Sequence, residues 1–63
     1  MDGYTVIKIL EKAGWEHVST KGSHHKMKKP GHLPTIVPVH NKKDLKPGTL
    51  GNIEKATGVK LRR

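Results

Sequence analysis

Two kinds of hydrophobic spacing divide the chain. From Gly3 to Ala13 the apolar residues Val6, Ile9, Leu10 and Ala13 recur three and four apart, with Ile7 flanking the stripe and Lys8, Glu11 and Lys12 on the other side. That is the period of an amphipathic helix. Asp2 stands where a side-chain oxygen can cap the first turn, and Gly14 stands where a positive φ can end the last one. After Gly14 the period falls to two. Trp15 to Thr20 reads as a strand, Lys21-Gly22 as a turn, and Ser23 to Lys29 as a second strand. Pro30-Gly31 fits the centre of a type II turn, proline presetting φ and glycine taking the positive value. Pro34 to Val39 is the third strand. Pro38 inside it cannot donate to a ladder, which predicts a sheet edge.

Beyond a polar loop from Asn41 to Lys46 the helical period returns. Pro47 suits a first helical turn, Leu50, Ile53 and Thr57 form the stripe, and Gly58 ends it. Leu45 and Val59 are expected to pack at its two ends. Gly51 inside this helix costs about 1 kcal/mol relative to alanine, so the helix must rely on tertiary packing. Lys60 to Arg63 reads as a frayed basic tail. The predicted order is α-β-β-β-α: an α+β two-layer sandwich, three antiparallel strands with both helices on one face and the other face open. This order is similar to that of double-stranded-RNA-binding domains.

Size and charge narrow what such a fold can do. The 63 residues make one domain, 1–63, too short for a Rossmann or barrel enzyme. Cysteine is absent, which excludes disulfides, thiolate zinc sites and a cysteine nucleophile. It also favours a reducing, cytoplasmic setting. No stretch approaches the roughly 20 apolar residues of a membrane span, and no signal peptide is visible. Thirteen Lys+Arg against five Asp+Glu give a net charge of +8. The charge is concentrated: between Lys21 and Lys43 lie six lysines and four histidines, and no Asp or Glu. A one-sign field of this kind steers phosphate-bearing ligands.

The second strand carries the candidate chemistry. Side chains alternate between faces. If Met27 marks the buried face, His25 shares it and His24, Lys26 and Lys28 line the other. A phosphodiester laid across that outer face meets one imidazole and two ammonium groups. Metal-independent RNA cleavage needs little more. The substrate brings its own nucleophile, the 2′-OH, and histidine can perform either proton step near neutral pH. Adjacent ammonium groups disfavour a further positive charge on an imidazole and can oppose the charge building on phosphate. No cofactor is required.

A strand histidine in most proteins is a surface or packing residue, and His25 is read that way, beside Met27. Metal binding by His17, His24, His25, His32 or His40 is the other reading. It is disfavoured because adjacent His24 and His25 point oppositely and no cysteine and few carboxylates are present to complete a site; no metal site is expected. Trp15, at a helix–strand junction, is expected in the core, and Tyr4 as a helix-side contact. Exposed rings for stacking bases are therefore missing, and RNA recognition would rest on shape and phosphate charge.

Four segments together resemble a known family: Val6 to Trp15, Lys21-Gly22-Ser23-His24-His25, Val37-Pro38-Val39-His40, and Lys46-Pro47-Gly48-Thr49-Leu50. They look like the HicA (YcfA-like) toxins of HicA–HicB toxin–antitoxin pairs, and the resemblance runs from the first helix through Gly58. It implies the double-stranded-RNA-binding-domain fold, mRNA interferase activity (ribosome-independent endoribonuclease action on mRNA) and a HicB-like antitoxin partner. It also implies one essential histidine in the second strand, matched here by His24, after Gly22-Ser23. Gly22, Ser23, Lys26 and Lys28 around it are the candidate RNA-binding residues. Ser23, Lys28 and His40 are candidate helpers in the reaction. Met27 stands where the family often has an aromatic residue, and Gly51 where a basic one is common. The alternative is a non-catalytic RNA-binding module of the same fold. A third reading is an adaptor whose basic surface meets an acidic partner.

Overall fold

The computed structural model describes residues 1–61. The elements run α1 (Gly3–Lys12), β1 (Glu16–Lys21), β2 (His24–Lys28), β3 (Thr35–Pro38) and α2 (Pro47–Thr57). All three strands are antiparallel neighbours in the order β1-β2-β3. The predicted α-β-β-β-α order and three-stranded sheet are therefore present, and the architecture is that of the double-stranded-RNA-binding-domain fold. Pro38 does lie on an edge strand. Boundaries move by a residue or so at most ends: Pro34 and Val39 fall outside β3, and Lys21 joins β1.

Local chemistry explains each end. Asp2 Oδ1 accepts from the Thr5 N–H at 2.9 Å and from the Thr5 hydroxyl at 2.6 Å, capping α1. Ala13 and Gly14 close it, Gly14 at φ +96°. The Lys29 ammonium donates to the Ala13 carbonyl at 2.9 Å, placing a cation at the negative end of the helix. The β2–β3 connection begins with Lys29-Pro30-Gly31-His32, the His32 N–H donating to the Lys29 carbonyl and Gly31 at φ +80°. That matches the expected type II turn. In α2, Gly58 takes the left-handed conformation at φ +72° and donates to the Glu54 carbonyl.

The core lies between the inner face of the sheet and the helices. Val6 and Leu10 of α1, Met27 of β2 and Val37 of β3 are fully buried; Leu50 and Ile53 of α2 join them, with Leu45 and Val59 packing at the ends of α2 as expected. Trp15 is 3 % exposed. Its indole lies against His32, ring centroids 5.3 Å apart, so it serves the core and not a base. Among the described residues no helix is long and apolar enough to cross a membrane.

One expectation is corrected. The segment after Gly58 is not simply a frayed tail: Leu61 is 5 % exposed, and its N–H donates to Glu54 Oε2 at 2.7 Å. Val59 N–H is held by the Thr57 hydroxyl at 3.2 Å. A leucine flanked by Lys60 and Arg62 shows no helical or strand period, so its burial is set by tertiary packing. Arg62 and Arg63 lie outside the described residues.

Candidate active site on the outer sheet face

The β1–β2 hairpin positions the candidate residues. Its loop is only two residues, Gly22 and Ser23, with Gly22 at φ +59°. Glycine at the first central position with positive φ is the pattern of the type II′ hairpin turn, whose twist matches the flanking strands. The Ser23 carbonyl accepts from the Val39 N–H at 2.7 Å, so the turn is tied to the end of β3. His24 therefore leaves a short, pinned loop and enters the central strand.

Register sorts the side chains into rows. His24 is opposite Lys21 on one side and Pro38 on the other; Lys26 is opposite Ser19 and Ile36; Lys28 is opposite Glu16. These make up the outer face, and His24, Lys26 and Lys28 are all exposed. His25, opposite Thr20 and Val37, and Met27, opposite His17 and Thr35, belong to the inner face. Met27 is completely buried and His25 half-buried. The expected split of β2 into a basic outer row and a packed inner row thus holds.

Register also brings in a residue that spacing within one strand does not single out. Lys21 pairs directly with His24, and residues so paired across a strand have side chains on the same face about 5 Å apart. The signal is present in the sequence, since a two-residue loop makes its flanking residues partners. Lys28, by contrast, has an acidic residue, Glu16, as its cross-strand partner. Positive charge on this face is consequently densest at the turn end, where Lys21, His24 and Lys26 meet.

The other histidines occupy separate places. His32 covers Trp15. His40 is exposed beyond β3, in a groove lined by Pro38, Lys43, Lys46 and Thr49 at the start of α2. The groove shares Pro38 with the His24 row, but His40 itself is outside that row. His17 and His25 meet on the inner side, His17 Nε2 lying 3.2 Å from His25 Nδ1. Among the described residues no group of three or more His, Asp or Glu side chains is placed to hold a metal ion.

Fold and site together define a small basic protein of the double-stranded-RNA-binding-domain class, its open sheet face carrying an exposed imidazole among ammonium groups. The family model for the HicA toxin of bacterial toxin–antitoxin systems matches residues 3–59 of the chain. The chain belongs to this HicA toxin family. No match is found among curated proteins.

Proposed function

We propose that this protein is the toxin of a type II toxin–antitoxin system and acts as a metal-independent endoribonuclease on mRNA, with His24 as its catalytic residue and a HicB-like antitoxin as its inhibitor. The observation that carries the proposal is the exposed His24 in a row of cations on the open sheet face of a HicA-family chain.

The chemistry follows from that placement. RNA lies across the hairpin with its phosphate over the His24 row. The imidazole of His24 takes the proton from the 2′-OH. The 2′-oxygen attacks the adjacent phosphorus, the P–O5′ bond breaks, and a proton from solvent ends on the departing 5′-oxygen. Lys21, Lys26 and Lys28 oppose the charge that accumulates on the phosphoryl oxygens, an effect that is larger for preorganised cations than for mobile ones. Gly22 presents backbone without a side chain at the turn, and Ser23 places a hydroxyl beside it, so both can approach the RNA backbone. Stacking is not the main means of reading bases, because among the described residues the outer face displays no Phe, Tyr or Trp side chain.

The test is cleavage of an unstructured mRNA fragment in EDTA by the purified protein and by His24→Ala. The side chain is exposed, so the variant keeps the fold, and the rate falls by about 10²–10⁴, the range typical of a missing general acid–base group. Cleavage undiminished in His24→Ala removes the mechanism. RNA retention with steep salt dependence but no products from the wild type favours the non-catalytic binding module instead.

A further inference from the structure

The inner side of the β1–β2 hairpin holds a second cluster that the cleavage reaction does not use. His17 Nε2 and His25 Nδ1 face each other at 3.2 Å, and the Thr20 hydroxyl lies 2.9 Å from the first and 3.4 Å from the second. The edge of the Tyr4–His25 ring pair closes one side, centroids 6.2 Å apart. A strand irregularity creates this meeting. The register slips between His17 and Ser19, leaving Val18 unpaired. A regular ladder continued from Thr20↔His25 would put Val18 opposite Met27 and His17 in the outer row. The bulge instead sets His17 opposite Met27, beside His25.

Two imidazole nitrogens this close either share one N–H in a hydrogen bond between neutral rings or, with both of these nitrogens unprotonated, hold a metal ion between them. Their separation fits the second as well as the first. With metal–nitrogen bonds of about 2.05 Å, a 3.2 Å separation corresponds to an N–M–N angle of about 100°, close to tetrahedral. Imidazole donors favour late first-row divalent ions, zinc, nickel and copper, over magnesium or calcium. Both rings hang from adjacent, hydrogen-bonded strands, so little side-chain freedom is lost on coordination. We infer that His17 and His25 form a two-imidazole site for a divalent transition-metal ion, with Thr20 and water completing its shell. Bound metal cross-links β1 to β2 behind the strand that bears His24. The site faces the helices whereas His24 faces outward, so this inference and the cleavage reading stand or fall separately.

The test uses the untagged full chain, with zinc chloride and then nickel chloride as probes, followed by calorimetry and by backbone amide NMR. Wild type binds one equivalent, and the shifted amides centre on His17, Thr20 and His25. His17→Gln changes an exposed side chain and keeps the fold; its affinity falls by more than the roughly 10–100-fold that loss of a supporting group costs. His25→Gln behaves alike if it folds, and His17→Gln alone decides if it does not. His40→Gln binds as wild type. Absence of saturable binding, undiminished binding by His17→Gln, or loss of binding in His40→Gln overturns the assignment.

Discussion

Gly3 lies directly against the carbonyl of Pro38. A Cβ at Gly3 would stand 2.6 Å from that oxygen and 2.6 Å from Val39 Cγ2. The first turn of α1 is thereby seated on the end of β3, the strand that flanks His24. Helix propensity would favour alanine over glycine by up to about 1 kcal/mol, but contact with backbone cannot be relieved by a rotamer change. Gly3→Ala is expected to destabilise the fold by about 1–3 kcal/mol, the usual cost of overpacking. Gly48→Ala is the matched control: nothing lies within 4 Å of its Cβ position, and it should gain roughly 0.4–1 kcal/mol. Urea unfolding of the two variants checks the pair of opposite signs.

The uneven charge of the outer face gives a second expectation. Lys21 is paired with His24, whereas Lys28 faces Glu16. Lys21→Ala should weaken RNA binding more than Lys28→Ala does. Without the Lys21 ammonium one phosphate of a single-stranded RNA keeps its counterions, which lowers the salt slope of binding by about 0.7. Binding measured over a series of potassium chloride concentrations reads both numbers, and equal losses for the two variants would contradict the register argument.

Acid stability should depend on Asp2. The Thr5 hydroxyl, and then the Thr5 N–H, hold its carboxyl below the usual 3.8. A carboxyl depressed on folding binds its proton more readily in the unfolded chain. Its contribution is complete above the unfolded value and is lost as pH falls through the folded one. Asp2→Asn keeps a capping oxygen without the titration. Melting temperatures from about pH 5 downward should therefore fall more steeply for wild type than for Asp2→Asn. Parallel curves would show that the cap carries no linkage.

Leu61 tests the last described residue of the core. Removing a buried leucine side chain costs about 2–5 kcal/mol, against a total of roughly 3–9 kcal/mol for a chain of this size. Leu61→Ala should shift the urea midpoint strongly downward, while Lys60→Ala, an exposed neighbour, should leave it nearly unchanged.

Much of this molecule could be read from residue order. Helix stripes, the Pro30-Gly31 turn and the proline at a sheet edge each express a local physical rule, and each is present; the first hairpin turn falls one residue later than Lys21-Gly22, at Gly22-Ser23. The outer placement of His24 followed from one fact, that Met27 is the apolar residue of its strand. Other features escaped because they depend on alignment between strands. Lys21 acquires its place through pairing with His24. His17 acquires its place through a slip that no pattern in Glu16-His17-Val18-Ser19 announces, since Val18 looks like the inward residue of a regular strand and is 42 % exposed. Leu61 sits in the core although its flanking residues are basic, because a neighbouring carboxylate holds the backbone there.

The slip at Val18 amounts to a change of phase in the hairpin. Residues nearer the turn keep step with β2 through the short loop; residues nearer α1 are one position out of step with them. Deleting Val18 would close the bulge and leave His17 opposite Met27, where it already stands. Pairing Val18 with Met27 instead would bring the two halves back into phase and hand the His17 imidazole to the opposite surface, into the company of Lys28. Whether one valine is paired or bulged thus determines which of two surfaces owns a histidine.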